Sequence, residues 1–249
     1  MTDHAADPSH PRYSSLLQRQ KLERAKELGM LADSALIAHG RGEAFDYLLG
    51  EKTHSFAHDA ILQALAVLKQ AQHPVLSVNG NTVALAGLEI LQLASHLSCP
   101  VEINIFYRTP ERMEALLTEL EHINKEHDLH VNILGANPDA TIPGLKGPRA
   151  KCESSGIFSA DVIFVPLEDG DRCQALKDMG KTVIVVDLNP MSRSAIHASI
   201  TIVNELHRTI EYMIEVLQQN HDLSSSESFS HHSILERALM TIRQGELKD

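Results

Sequence analysis

The sequence predicts an α/β fold: a Rossmann-like three-layer arrangement with a mainly parallel sheet, a helical N-terminal segment and a C-terminal helix after a flexible linker. Three observations predict it. Short, continuous, β-branched runs such as VIFV (162–165) and TVIVV (182–186) suit strands buried on both faces of a parallel sheet. These runs alternate with segments of helical periodicity, the pattern of a layered α/β domain. The chain has 249 residues, 43% of them hydrophobic, which suffices for one large core. A stack of buried helices is the competing reading, but the runs are too short and too β-branched for it.

Residues 1–11 are expected to be disordered, with Asp7-Pro8 and His10-Pro11 as breakers. A single α/β domain is expected over 12–219. Its first helix runs from about 12 to 29, with Leu16, Leu17, Leu22, Ala25 and Leu28 in one stripe and Gly29 as C-cap. The short apolar run Ala35-Leu36-Ile37-Ala38 leads into His39-Gly40-Arg41-Gly42, and a helical segment follows over about 43–49. Alternation then begins: helix about 55–72, strand 75–78, helix about 82–97, strand 101–107, helix about 110–127 and strand 131–134. The stretch 135–158 is rich in Pro and Gly and reads as irregular. Strand 162–166, helix about 171–179, strand 182–188, a short turn or helix, strand 200–203 and helix about 205–219 complete the domain. Residues 220–232 (NHDLSSSESFSHH) read as a flexible linker. Over 233–249 a C-terminal helix carries Ile234, Leu235, Ala238, Leu239 and Ile242 on one face; the body or a partner subunit could receive it. No internal repeat is visible.

The net charge of −11 argues against non-specific binding to nucleic acid or to an anionic membrane. Cys99, Cys152 and Cys173 are widely spaced and fit a reducing compartment better than a disulfide or zinc framework. The polar start MTDHAADPSHPRY lacks a signal peptide's apolar core, and no apolar run approaches the ~20 residues of a membrane span. A cytoplasmic protein is expected.

Polar residues collect where the apolar runs end. His39-Gly40-Arg41-Gly42-Glu43 follows ALIA, and Asn79-Gly80-Asn81 follows VLSV. Arg108 follows EINIFY, and Glu168-Asp169-Gly170-Asp171-Arg172 comes just after VIFVP. Asp187-Leu188-Asn189-Pro190 and Ser192-Arg193-Ser194 follow TVIVV, and Asn204-Glu205 follows ITIV. In a parallel sheet such ends converge on one edge, where ligands bind at the topological switch point. Arginine forks suit phosphates. Glycines allow close backbone approach, and carboxylates suit Mg2+, a ribose or an amine. A phosphorylated ligand, with a nucleotide, is the expected chemistry. Each motif also has a plain reading as a turn, a helix cap or a surface charge; repetition at equivalent positions favours a site.

Three apparent motifs fail. Met179-Gly180-Lys181-Thr182 resembles the end of a phosphate-binding loop, but Ala175 replaces its first glycine and a strand follows in place of a helix. Gly40-Arg41-Gly42 begins a dinucleotide fingerprint that Phe45 breaks. His54/His58 and His231-His232 are pairs that chance supplies among 15 histidines.

Taken together, SHPRYS (9–14), Arg19, GRGEAFDYLLGEK (40–52), SVNGNT (77–82), EINIFYRTP (102–110), PGLK (143–146), VPLEDGDRC (165–173) and DLNPMSRSAI (187–196) make the chain resemble the archaeal 4-phosphopantoate–β-alanine ligase family, also called archaeal phosphopantothenate synthetase. The resemblance runs from residue 9 to about 205. It implies a Rossmann-like core, a homodimer and a step of coenzyme A biosynthesis. In that step 4-phosphopantoate and β-alanine are joined at the expense of ATP, giving 4′-phosphopantothenate, AMP and diphosphate through an acyl-adenylate. By the family's motifs, Arg19 and Arg41 would contact ATP phosphates, and Asp187, Leu188 and Asn189 would hold the adenosine with Arg193 and Ser194 close by. Asn204 and Glu205 stand at a further ATP contact, where the family pattern is Asp-Asn. His39, Asn79, Asn81, Arg108, Lys151 and Arg172 are candidates for the second substrate. Glu168, Asp169 and Asp171 are candidates for the amine or Mg2+, which is expected to accompany ATP; no side-chain metal ligand is assigned. Catalytic work falls to Arg41, His39, Arg172 or Asp169. Two other readings stand beside this one: a non-catalytic sensor of a nucleotide or phosphorylated ligand, and an oxidoreductase using the Gly40-Arg41-Gly42 turn.

Overall fold

Strands β1 (Pro74–Val78), β2 (Val101–Ile103), β3 (Ile133–Leu134), β6 (Val162–Pro166), β7 (Thr182–Val186) and β8 (Ile200–Ile202) form one sheet in the order β3-β2-β1-β6-β7-β8. Every pairing in it is parallel. This architecture comes from a computed structural model of the chain, which describes residues 7–219, 223–226 and 228–245. Strand order reverses direction between β1 and β6, so the topological switch point lies there. β6 is buried at all five positions and β7 at four of five, which is why their sequences show no polar alternation.

Helices α1 (Tyr13–Glu27), α2 (Asp33–Leu48), α3 (Ser55–Gln70), α4 (Gly80–Leu97), α5 (Pro110–Glu126), α6 (Gly170–Asp178), α7 (Arg193–His197) and α8 (Leu206–Gln218) accompany the sheet. Side chains at the strand ends start several of them. Asn79 accepts from Thr82 N at 3.1 Å to cap α4, and Asp169 accepts from Arg172 N at 2.9 Å to cap α6. Glu205 accepts from His207 N at 2.8 Å and Arg208 N at 2.9 Å to cap α8. α8 packs on α4, where His207 contacts Glu89 at 3.2 Å and Glu211 on its own helix at 3.1 Å. One core cluster fills the space around α3, α4, α5 and α8, and a second lies between the sheet and α6. Cys99, Cys152 and Cys173 are all buried in these clusters.

Several expectations need correction. The run Ala35–Ala38 is not a strand; it lies inside α2, which runs unbroken through His39, Gly40, Arg41 and Gly42. Four apolar residues carry no period that separates a strand from one helical turn. β2 stops at Ile103, and the chain leaves the sheet at Asn104, whose amide donates to the carbonyls of Arg149 at 3.2 Å and Lys151 at 3.0 Å. Phe106 and Tyr107 are consequently exposed. The stretch 135–158 has structure of its own: a two-stranded antiparallel ribbon, β4 (Ala140–Thr141) with β5 (Lys151–Cys152), and a 3-10 turn at Pro148–Ala150. Carboxylates pin it: Glu102 accepts from Glu153 N and Ile157 N, and Glu153 accepts from Gly135 N and Asn137 N.

Residues 1–6 of the expected disordered start, 220–222 and 227 of the expected linker, and 246–249 lie outside the described residues. The described part of the tail forms α9 (His231–Arg243), which packs on α3 and β8. Arg237 pairs with Asp59 at 2.7 Å, and His231 Nε2 lies 3.0 Å from Thr201 Oγ1. Among the described residues no helix is long and apolar enough to cross a membrane.

Candidate active site

α1 and α2 lie over the carboxyl ends of β1, β6, β7 and β8 and enclose a cavity of about 180 Å3. His39 and Glu43 reach it from α2, Arg12 and Ser15 from the start of α1, and Asn81, Leu167, Leu188 and Glu205 from the strand ends. α2 passes beside the Asp187-Leu188-Asn189 turn: a Cβ built at Gly42 would lie 3.7 Å from Leu188 Cδ1, an ordinary contact. Leu167, a γ-branched residue at φ 57°, turns the chain out of β6 in the left-handed region. That conformation costs on the order of 1–2 kcal/mol, strain of the sort that collects at functional sites.

Three polar atoms in this lining have no partner among the described residues. His39 Nε2 is buried and unbonded, and so are Arg208 Nε and Asn81 Oδ1, although Asn81 Nδ2 donates to Ala35 O at 3.0 Å. Burial pulls the pKa of His39 down; Glu43 and Glu205 oppose it without reversing it, and Arg19 adds to it. The imidazole is therefore held toward its neutral form. Arg41 is exposed, makes no hydrogen bond among the described residues, and its charge bears on Asp187. Burial raises the pKa of Asp187, against hydrogen bonds from Ser192 Oγ and Asn189 N and the charge of Arg41.

The other cations around the cavity are already paired. Arg19 lies on Glu43 with both Nη2 contacts at 2.9 Å; Arg12 reaches Glu43 at 3.0 Å and Glu51 at 3.1 Å; Ser15 Oγ also donates to Glu43. Arg208 holds Asp46 at 2.6 and 3.1 Å. Asn204 is occupied with Thr53 and Thr209, and both carboxylate oxygens of Glu205 serve the α8 cap.

Beneath the switch point lies a second polar group. Arg172, completely buried, donates to Glu168 Oε2 at 2.6 Å and to Ser77 Oγ of β1 at 2.8 Å. Arg149 donates to Glu168 Oε2 at 2.8 Å, Asp169 Oδ2 at 2.6 Å and Asn104 Oδ1 at 3.2 Å. Burial lowers the pKa of Arg172, and Glu168 opposes the change. Glu168 Oε1 and Arg172 Nε remain without partners, on side chains with no exposure.

The predicted residues thus divide. His39, Asn81, Leu188 and Glu205 line the cavity; Arg19, Arg41, Asp187 and Asn189 stand around it. Arg172 and Asp169 belong to the buried group, and Asn79 spans toward it by donating to Leu167 O at 3.0 Å. Arg193 pairs with Asp171 at the surface, while Ser194 Oγ donates to Glu168 O at 2.7 Å. Gly170 lets α7 come this close, because a Cβ there would lie 2.4 Å from Arg193 Cβ. Arg108 lies apart, donating to Gly135 O at the end of β3, and the side chain of Lys151 is exposed. Glu168, Asp169 and Asp171 each pair with an arginine, and among the described residues no group of three or more His, Cys, Asp or Glu gathers as for a metal ion.

Sequence reasoning missed Arg149, Glu43 and Arg12 as site residues. Arg149 sits in the unpatterned 135–158 stretch, and nothing in its neighbours signals the buried pair. Arg12 and Glu43 lie inside SHPRYS and GRGEAFDYLLGEK, so the signal was present in those motifs.

The profile of the phosphopantothenate/pantothenate synthetase family matches residues 56–245, which leaves α1 and α2 outside the match. Relatives extend further. A protein of Thermococcus kodakarensis named 4-phosphopantoate–beta-alanine ligase is 50% identical over 219 residues, 88% of this chain and 82% of that protein. One of the same name from Thermococcus onnurineus matches to the same extent. A third, from Methanosarcina mazei, is 44% identical over 88% of this chain and 83% of its own length. With its parallel sheet, its strand-end motifs and these matches, the chain belongs to the phosphopantothenate/pantothenate synthetase family.

Proposed function

We propose that the chain is a 4-phosphopantoate–β-alanine ligase, using ATP to form 4′-phosphopantothenate, AMP and diphosphate in coenzyme A biosynthesis. The observation that carries this reading is 50% identity over 88% of the chain to relatives of that name. The cavity with its three unpartnered polar atoms supports it. A cytoplasmic homodimer, with α9 as part of each subunit's body, completes the proposal.

A carboxylate does not react with an amine at neutral pH, because its leaving group would be oxide. In the proposed route the substrate carboxylate attacks the α-phosphorus of ATP, and diphosphate leaves. The amine then attacks the acyl carbonyl, and AMP leaves with the electron pair of the broken C–O bond. The adenosine rests on Asp187-Leu188-Asn189 beneath α2. Arg41, which makes no hydrogen bond among the described residues, meets the phosphate charge together with Arg19, since developing negative charge is what the site must stabilise. Arg193 and Ser194 flank the same turn. Mg2+ enters as the counter-ion of ATP, and no step here is assigned to a metal held by the protein. His39, neutral and with a bare Nε2, takes the proton that the β-alanine ammonium must lose before attack. Asn81 Oδ1 orients a donor of the second substrate. Arg172 and Asp169 act from behind, by fixing the β1 and β6 ends, and do not touch the reacting atoms.

Chromatography of nucleotides tests the reading. The protein is incubated with Mg2+–ATP, 4-phosphopantoate and β-alanine, and each substrate is omitted in turn. AMP and 4′-phosphopantothenate appearing only in the full mixture is the expected result. ADP in place of AMP would replace the adenylate by an acyl phosphate. ATP binding without turnover would leave a nucleotide sensor.

A further inference from the structure

The cavity is too small for the ligand the proposed function puts in it. At about 180 Å3 it falls below the ~300 Å3 at which pockets for drug-sized ligands begin. Its roof is the contact between α1 and α2; Lys26 and Asp33 pair at 2.9 Å across the far end of that contact, and at the cavity one carboxylate holds it. Glu43 of α2 accepts from Arg19 through Nε and Nη2, from Arg12 Nη2 at 3.0 Å, and from Ser15 Oγ. Arg12 in turn reaches Glu51 at 3.1 Å and stacks on Tyr47, its guanidinium carbon 5.6 Å from the ring centroid. Burial pushes the pKa of Glu43 up, but the hydrogen bonds from Ser15 and Arg19 outweigh it and hold the group below its usual value. The carboxylate is thus an anion seated in a cradle of two guanidinium forks and a hydroxyl.

Such a cradle matches a phosphate group at least as well as a carboxylate. We infer that Glu43 is a stand-in for the nucleotide: when the polyphosphate of ATP arrives, it takes Arg12, Arg19 and Ser15 from Glu43, and α1 lifts from α2 to enlarge the cavity. Arg12 and Ser15 are thereby additional phosphate-binding residues, and Glu43 sets the threshold for entry. The inference rests on the ligase reading only in taking ATP as the ligand. Of the arginine pairs at the cavity this one is the most readily exchanged. Arg19 and Arg12 are 48% and 34% exposed, against 25% for Arg208, while the two carboxylates, Glu43 and Asp46, are similarly buried.

The test measures binding of Mg2+–ATP and of inorganic tripolyphosphate by calorimetry, using the full chain with and without Glu43→Gln. Removing the competing anion is expected to tighten both about tenfold, the gain from opening a clasp that is about nine-tenths closed. In Arg12→Ala/Glu43→Gln most of that gain disappears. Glu43→Asp, too short to span both forks, gives an intermediate gain and serves if the glutamine variant fails to fold. Wild type that binds ATP while both folded Glu43 variants bind it no tighter overturns the inference and leaves the ligase reading intact. No ATP binding by any folded variant overturns both.

Discussion

The cavity under α2 and the group beneath the switch point are built from the same residue types and do opposite work. Around the cavity the bare atoms, His39 Nε2, Asn81 Oδ1 and Arg208 Nε, belong to residues that line space a ligand can enter. In the buried group the bare atoms, Glu168 Oε1 and Arg172 Nε, sit on side chains with no exposure, among groups already paired. An unmet hydrogen bond next to a cavity is an invitation to a substrate. One enclosed by packing is a cost that the surrounding ion pairs must offset. Strand-end position alone does not distinguish them; burial does.

Breaking the buried group gives the largest effect. Arg172→Ala leaves Glu168, a side chain with no exposure, with Arg149 as its cationic partner and strips Ser77 of its bond, which should cost about 3 kcal/mol, the lower end of the range for breaking a buried pair outright. Urea unfolding reads this directly; a midpoint within error of wild type would put Arg172 outside the framework. His39→Ala sharpens the contrast from the other side. It should lower kcat by about 10²-fold or more, the least that general-base catalysis supplies, with little change in the unfolding midpoint. In wild type, kcat should fall as the pH drops through the lowered pKa of His39, below the ordinary value of about 6.5. The variant should lose that acid limb. An unchanged limb would move the base elsewhere.

The smallest effect separates two histidines by sign. His39 binds its proton less readily folded than unfolded, so it lowers stability as the pH falls through the unfolded-state value of about 6.5. His207 has its pKa raised, first by the hydrogen bond to Glu89. Its contribution is fully present below the unfolded pKa and is lost as the pH rises through the folded one. His207→Ala should therefore lose stability on the acid side of that window and match wild type above it, which urea midpoints across pH would report. A uniform loss at all pH values would make His207 a packing residue only.

Much of the fold was legible. The VIFV and TVIVV runs named their strands because burial on both faces leaves a continuous apolar signature. Asn79 and Asp169 were read as site residues or as turn and cap signals, and both proved to cap helices. What escaped was anything fixed by tertiary contact. ALIA is a turn of helix because α2 covers the strand ends, a fact no four-residue window contains. Arg149 is placed by Glu102 and Glu153 pinning the 135–158 segment, and those partners are 47 and 4 residues away in sequence. The cavity was legible only as a convergence of motifs; its roof depended on where α1 and α2 dock.

The three thiols carry a consequence of their burial. Burial pushes the pKa of Cys99 and Cys173 up to about 12 and that of Cys152 to about 11. At neutral pH none is a thiolate, so none reacts with an oxidant or an alkylating reagent while the fold holds. Cys99 lies just past the end of α4 in one core cluster, while Cys152 in the ribbon and Cys173 in α6 enter the other from two different elements. Alkylation followed site by site in the mass spectrometer then becomes a clock with three hands, recording which part of the molecule opens first.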